Sequence, residues 1–332
     1  MPKKQKDTDY LFISTRLRAM ESRMLTRERM ERMLEARSTE DAVKVLTECG
    51  YEGLDPLTSE ALEQSLKRSR EETFAELTEL APDRAIVDAF RIKYDYHNAK
   101  ALVKCTARGE DPLRMLIDAG RVSTDVLREA IQKDELETLP APLQEAVSKA
   151  REVLATTGDP QRSDFALDRA YFAELSETAK ASGSDFLQEY ARLLIDAANL
   201  RSAVRSIRMK KNLEFLGEVL VQGGSVERDK ISAAVTGGAK LEPLFTDYLQ
   251  EAAALGDQAA EGGSQTAFEK ACDDAVNKLL RRSHMTPFGD GVLISYLAAR
   301  ENDITAARII LSGRMAGVPT QSIRERLREA YV

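Results

Sequence analysis

The 332-residue chain has no tryptophan, only two histidines and only three cysteines, and each scarcity closes off a class of function. Cys49, Cys105 and Cys272 are odd in number and form no close pair. They support neither a disulfide framework nor a tetrahedral zinc site, fit a reducing compartment, and read as small apolar core residues. His97 falls in a helical pattern, where a packed or hydrogen-bonded role is expected. His284 has no cysteine or carboxylate at metal-ligand spacing. No Gly-x-x-x-x-Gly-Lys-Ser/Thr loop, no Gly-x-Gly-x-x-Gly after a strand and no Gly-x-Ser-x-Gly elbow occurs. Nucleotide binding and serine- or cysteine-based hydrolysis therefore have no support, and no cofactor is expected.

Long apolar runs are missing too. The longest, from Gly291 to Ala299, is interrupted by Ser295 and falls well short of the roughly 18 residues of a membrane span. The N-terminus is basic but leads into no apolar signal core, so secretion is not expected. The net charge is −7, with 20 basic and 21 acidic residues in 1–110, 15 and 19 in 111–225, and 13 and 15 in 226–332. No third is basic, so there is no electrostatic footprint for nucleic acid. The short basic clusters (Lys3, Lys4 and Lys6; Arg205, Arg208, Lys210 and Lys211; Arg281 and Arg282) read as solvated helix ends.

Abundant Leu, Ala, Glu and Arg, a hydrophobic content of 43% and almost no strand-like alternation predict a folded, all-α protein. Tyr10, Ile13, Leu17, Met20 and Met24 form one apolar helical stripe. Thr26 opens a helix with Met30, Met33 and Leu34 as core positions. Ser38 opens another, with Asp41 in the capping-box position. Leu62, Leu66, Phe74 and Leu77 mark a longer helix, and Pro82-Asp83 opens the next. Connectors are expected at Thr156 to Ser163, Ala181 to Asp185 and Gly256 to Gly263.

One phrase recurs. Asp95-x-x-Asn98-Ala99-Lys100 returns as Asp196-x-x-Asn199-Leu200-Arg201 and, more weakly, as Asp303-x-x-Ala306-Ala307-Arg308. A second landmark, Ile117 to Asp125, matches Val221 to Asp229 at a shift of 104; in both, Gly is expected to end a helix in a left-handed turn and a polar residue to cap the next. Two landmarks with nearly one period predict three diverged helical units, 1–110, 111–225 and 226–332. The repeated polar positions Asp95, Asn98, Lys100, Asp196, Asn199, Arg201, Asp303 and Arg308 read as hydrogen-bonded packing elements, because a scaffold position recurs in every unit and a catalytic site does not. The nearest carboxylate cluster, Glu71-Glu72 with Glu76, has no histidine partner and reads as a surface stripe.

Ordered blocks along the chain carry a resemblance. They are Arg18-x-x-Glu21-Ser22-Arg23-Met24-Leu25, Leu34-Glu35-Ala36, Tyr94 to Lys100, Leu167 to Phe172, Ile195 to Arg201, Pro287-Phe288-Gly289, Ile294-Ser295-Tyr296, Arg300-Glu301, Ala307-Arg308-Ile309 and the terminal Tyr331-Val332. Together they resemble the central-rotor adaptor of V-type and A-type rotary ATPases, called the C subunit in prokaryotes and the d subunit in eukaryotes. The family often has Leu at the position of Ala99 and Asn at that of Ala306, so this chain departs from it there. The resemblance implies a non-catalytic funnel of three helical lobes about a pseudo-threefold axis, peripheral on the cytoplasmic face of the membrane. Its socket would receive the central stalk, made of the D and F subunits, and its base would rest on the membrane proteolipid ring and transmit torque. Divergence among the copies would select one register for the stalk. The alternative is a generic helical-repeat scaffold with another protein partner.

Overall fold

The structure is a computed structural model describing residues 5–332; Lys3 and Lys4 of the N-terminal basic cluster lie outside the described residues. Among those residues the fold is helical throughout, with no strand. After α1 (Leu11–Glu21) come three successive sets of four helices. The first is α2 (Arg27–Glu35), α3 (Thr39–Glu48), α4 (Ser59–Leu80) and α5 (Arg84–Arg108). The second is α6 (Thr124–Lys133), α7 (Ala141–Thr157), α8 (Pro160–Ser182) and α9 (Asp185–Arg208), followed by the short α10 (Leu213–Val219). The third is α11 (Arg228–Gly237), α12 (Gln250–Ala260), α13 (Gln265–Leu280) and α14 (Asp290–Met315), after which α15 (Thr320–Arg324) closes the chain. The last helix of each set is its longest and carries the repeated phrase.

Local sequence accounts for where these helices start. Thr26 Oγ1 accepts from Arg29 N at 3.2 Å, Ser123 Oγ from Val126 N at 3.4 Å, Ser184 Oγ from Leu187 N at 3.0 Å and Ser264 Oγ from Ala267 N at 3.2 Å. Each hydroxyl satisfies an amide that the helix itself cannot. Ser38 Oγ likewise accepts from Asp41 N at 3.1 Å, but the Asp41 carboxylate turns to Lys44 at 2.8 Å, so the capping box is half formed.

Three local expectations are corrected. Helix α1 stops at Glu21, short of Met24, although Met24 is buried. Thr26 must be extended to cap α2, so the chain has to leave the helix first. The connector expected across Gly256 to Gly263 begins later, since Gly256 sits inside α12 beside buried Ala252, Ala253 and Ala259. That small-residue run is a packed face. The connector at Thr156 to Ser163 shrinks to Gly158-Asp159, where Gly158 takes a left-handed φ of 65° and Asp159 caps α8 through Gln161 N at 2.8 Å.

Among the described residues the chain folds as two compact units, one of residues 88–245 and one of residues 5–87 together with Thr246–Val332. The core of the first sets Ile92, Tyr96, Leu102 and Val103 of α5 against Leu127 and Ile131 of α6, Leu143 and Val147 of α7 and Leu167 of α8. The core of the second sets Ile304, Ala307, Ile310 and Leu311 of α14 against Met30, Met33 and Leu34 of α2 and Val45 and Leu46 of α3. Met33 is fully enclosed, so the methionine stripe is core. In the second unit the first and last sequence blocks meet. Arg18 pairs with Glu21 at 2.8 Å and donates to the carbonyls of Ser283 and Thr286, while the Tyr331 hydroxyl lies 2.9 Å from Ser283 Oγ.

Candidate functional site

The repeated phrase builds the same small device in the first two copies. Asp95 is fully buried on α5. Its Oδ1 accepts from Val122 N at 3.1 Å and its Oδ2 from Arg121 Nε at 2.7 Å. One turn on, Asn98 grips the backbone of Ile117 from both sides, donating to its carbonyl and accepting from its amide, each at 2.8 Å. On α9, Asp196 accepts from Ser225 N at 2.9 Å, from Val226 N at 3.3 Å and from the Ser225 hydroxyl. Asn199 holds Val221 through the same pair of bonds, at 2.9 and 2.8 Å. An Asp–x–x–Asn spacing puts both side chains on one helix face. There they pair with polar backbone groups of the partly buried loop that leads to the next helix.

Gly120 and Gly224 serve this device for a reason other than the expected turn. Neither has a positive φ; in the second copy it is the neighbouring Gly223 that takes one, at 104°. A Cβ on Gly120 would lie 2.2 Å from Asp95 Oδ1, and one on Gly224 would lie 2.1 Å from Asp196 Oδ1. These glycines are the clearance for a buried carboxylate. The polar cap that follows holds for Ser123, whereas Glu227, its counterpart, makes no side-chain capping bond.

The third copy takes its partner from the start of the chain. Asp303 on α14 accepts from Leu25 N at 3.1 Å, just ahead of the Thr26 cap of α2. Arg23-Met24-Leu25-Thr26 thus stands where Gly120-Arg121-Val122-Ser123 stands in the first copy. Five residues before the clasped amide, the first copy has Ile117 and the third has Met20, inside α1. A helical backbone satisfies its own amides. No Asn is needed there, which accounts for Ala306. Asp303 also has the poorest donor set of the three, one amide plus Arg300 at 3.5 Å. Burial pushes its carboxyl up to about 7, against the pull of Arg300. Arg300 is itself enclosed, donating to Ser69 Oγ at 2.7 Å, with its guanidinium 4.9 Å from the Tyr51 ring centroid. Burial also raises the Asp95 carboxyl, with Arg121 opposing.

The basic residues of the phrase reach outward from this device. Lys100 pairs with Asp168, and Arg308 makes a two-pronged bond to Glu63 at 2.6 and 2.9 Å. Arg201 is half-buried at the matching position. The Glu71, Glu72 and Glu76 cluster disperses: Glu76 bonds Arg16 at 2.6 Å and Glu71 lies 3.6 Å from Lys67. His97 Nε2 lies 3.1 Å from the carbonyl of Met115, and the His284 ring packs against Tyr331 at a tilt of 58°, with ring centroids 4.4 Å apart. The three cysteines are buried and unbridged, and no group of three or more His, Cys, Asp or Glu among the described residues could hold a metal ion. A cleft of about 440 Å³ beside the C-terminus is lined by Arg27, Lys270, Arg281, Arg324 and Arg328 with Glu31 and Glu329, and two of these cations are paired within it, Arg324 with Glu31 at 2.9 Å and Arg281 with Glu329. The hydrogen bonds of Asp95, Asn98, Asp196, Asn199 and Asp303 act as packing braces for the backbone segments they hold.

A further landmark emerges fourteen residues after each aspartate, where the phrase helices end. Gly109, Lys210 and Gly317 all adopt left-handed φ values, of 68°, 50° and 68°. Each closes with the same bond from the next amide back to the carbonyl five residues earlier, Glu110 to Cys105, Lys211 to Ser206 and Val318 to Gly313, at 2.9 Å in all three. Sequence reasoning missed this mark because Lys210 hides it in the middle copy.

A family model described as ATP synthase (C/AC39) subunit matches residues 13–326. The chain is 24% identical to the C subunit of the V-type sodium ATPase of Enterococcus hirae, over 97% of this chain and 99% of that protein. It is 24% identical to the C subunit of the A-type ATP synthase of Methanocaldococcus jannaschii, over 96% and 86%. Against the C subunit of the V-type ATP synthase of Thermus thermophilus the figures are 23%, 96% and 98%. No helix among the described residues is long and apolar enough to cross a membrane.

Proposed function

The chain belongs to the ATP synthase (C/AC39) subunit family, and from that premise we propose that it is the non-catalytic central-rotor adaptor of a V/A-type rotary ATPase. In this role it receives the central stalk, the D and F subunits, in a socket. It rests on the membrane proteolipid ring at the cytoplasmic face and passes torque between them, in either direction of ATP-linked ion transport. Its three helical units, 1–110, 111–225 and 226–332, would form lobes about a pseudo-threefold axis, braced at Asp95, Asn98, Lys100, Asp196, Asn199, Arg201, Asp303 and Arg308.

The observation that carries this reading is the closure of the third brace. Asp303 takes up Leu25, at the opposite end of the chain, where Asp95 and Asp196 each take up the segment that follows them. A linear array would leave its last unit unpartnered and capped. A repeat whose last copy clasps its first is the connectivity that a socket requires, and a torque-bearing part gains from having no open end. The family match over residues 13–326 supports the same role. The test is direct. Purified chain should form a one-to-one complex with a D–F stalk pair on gel filtration, and ATPase complexes assembled without the chain should lose ATP-driven ion pumping while keeping ATP hydrolysis in the catalytic head. Failure to bind the stalk pair, or pumping unaffected by omission, would refute the proposal.

A further inference from the structure

The three phrase helices end in one backbone geometry but in different chemistry. The left-handed position is glycine in the first and third copies, Gly109 and Gly317, because glycine lacks the Cβ that crowds the carbonyl there. The middle copy holds Lys210 at the same φ, against that preference. A non-glycine residue kept in a disfavoured conformation, where the sister copies show the relaxed solution, points to its side chain as the reason. The surrounding charge agrees. Over the eight residues beginning at Cys105, Ser206 and Gly313 the formal charges are −1 (Arg108 against Glu110 and Asp111), +3 (Arg208, Lys210 and Lys211) and +1 (Arg314). The middle tip is basic in a chain of net charge −7.

The same tip also exposes apolar surface. Met209 is 49% exposed and Leu213 is 60% exposed, on either side of the lysines. Lys211 extends over the Phe215 ring, 4.9 Å from its centroid, so its ammonium is held near the tip. Cations interleaved with exposed, flexible apolar side chains suit the headgroup layer of an anionic bilayer, where the charges meet phosphates and the apolar groups dip beneath them. A rigid acidic protein groove has no use for Met209 and Leu213 pointing to solvent on both sides of the charge. The basic cluster expected to be a solvated helix end is therefore a contact surface: we propose that the tip at residues 205–213 docks on anionic phospholipid. The choice of a bilayer over another polyanion rests on these exposed apolar side chains and on the reading of the chain as part of a membrane-associated complex.

The experiment uses the full chain and vesicles, without stalk or ring. Flotation with phosphatidylglycerol-containing vesicles, against pure phosphatidylcholine, should show binding that weakens at high salt. Lys210→Gly is the decisive variant. It restores the residue that the sister copies use, so its thermal midpoint should hold or rise, yet its affinity for the anionic vesicles should fall about fivefold. Adding Lys211→Asn should bring the loss to about 25-fold. Both variants should still bind the D–F stalk pair, which separates this proposal from the rotor reading. Wild-type affinity in Lys210→Gly, equal binding to neutral vesicles, or Lys210-dependent binding to polyglutamate with none to anionic vesicles would overturn the proposal.

Discussion

Gly120→Ala tests the brace where its geometry is least forgiving. The added methyl would sit 2.2 Å from Asp95 Oδ1 and 3.2 Å from the carbonyl of Val122. The carboxylate cannot keep both of its bonds, 3.1 Å to Val122 N and 2.7 Å to Arg121 Nε, and also clear the new carbon. A hydrogen bond to a charged group contributes about 1.5–3 kcal/mol. Breaking one side of a buried ion pair costs about 3–5 kcal/mol. The expected loss is therefore about 3–5 kcal/mol, read by denaturant unfolding followed by circular dichroism. The same substitution at Gly217, where a Cβ meets nothing within 4 Å, should be neutral or gain up to about 1 kcal/mol from helix propensity. A double-mutant cycle isolates the cause. In an Asp95→Ala background the clash partner is gone, so Gly120→Ala should cost less than about 1 kcal/mol, and the two losses should fall well short of additive. If Gly120→Ala lies within about 0.5 kcal/mol of the parent, or if the losses add, the glycine is not the clearance for the carboxylate.

The third brace should titrate. Native Asp303 holds its proton up to about 7, while the unfolded chain releases it near the ordinary 3.8. The native state thus binds the extra proton between these values. That contribution is complete below about pH 4 and is lost as pH rises through 7, at about 1.4 kcal/mol per unit and at most about 4 kcal/mol. Melting curves should show Asp303→Asn, which still accepts from Leu25 N, gaining on the parent between pH 5 and pH 8; a constant difference would count against it. Asn199→Ala strands both polar groups of Val221 and should cost roughly 2–4 kcal/mol in chemical denaturation. The reverse change, Ala306→Asn, puts an amide at a buried site beside an already satisfied helix and should also destabilise, by roughly 1–3 kcal/mol. Stabilisation by Ala306→Asn would mean that the third loop has unpaired groups after all.

Much of this fold was legible because helix signals are local. The caps at Thr26, Ser38 and Ser123 and the apolar periodicity of α2 and α4 come from residues within one or two turns of each other. The misread boundaries arose where a distant contact overrides local preference. Met24 continues the α1 stripe in sequence, but the chain must turn there to present Leu25 to Asp303, 278 residues away. Gly256 looks like punctuation until Ala252, Ala253 and Ala259 are seen buried with it.

The repeated aspartates were legible as scaffold, but their partners were not. The sequence shows Asp95 and Gly120 as separate landmarks 25 residues apart, and nothing local says that one exists to make room for the other. Asp196 and Gly224 repeat the pair at 28 residues, and the change in spacing hides it. The third partner was harder still, since its counterpart lies at the other end of the chain. That displacement also explains why the phrase weakens. Once α1 supplies a helical backbone at Met20, the Asn loses its targets and Ala306 replaces it, while the aspartate, still facing an open amide at Leu25, stays. The weakest copy of the phrase therefore carries the most topological information, because its loss of one residue and retention of another follow from where the chain returns to its own beginning.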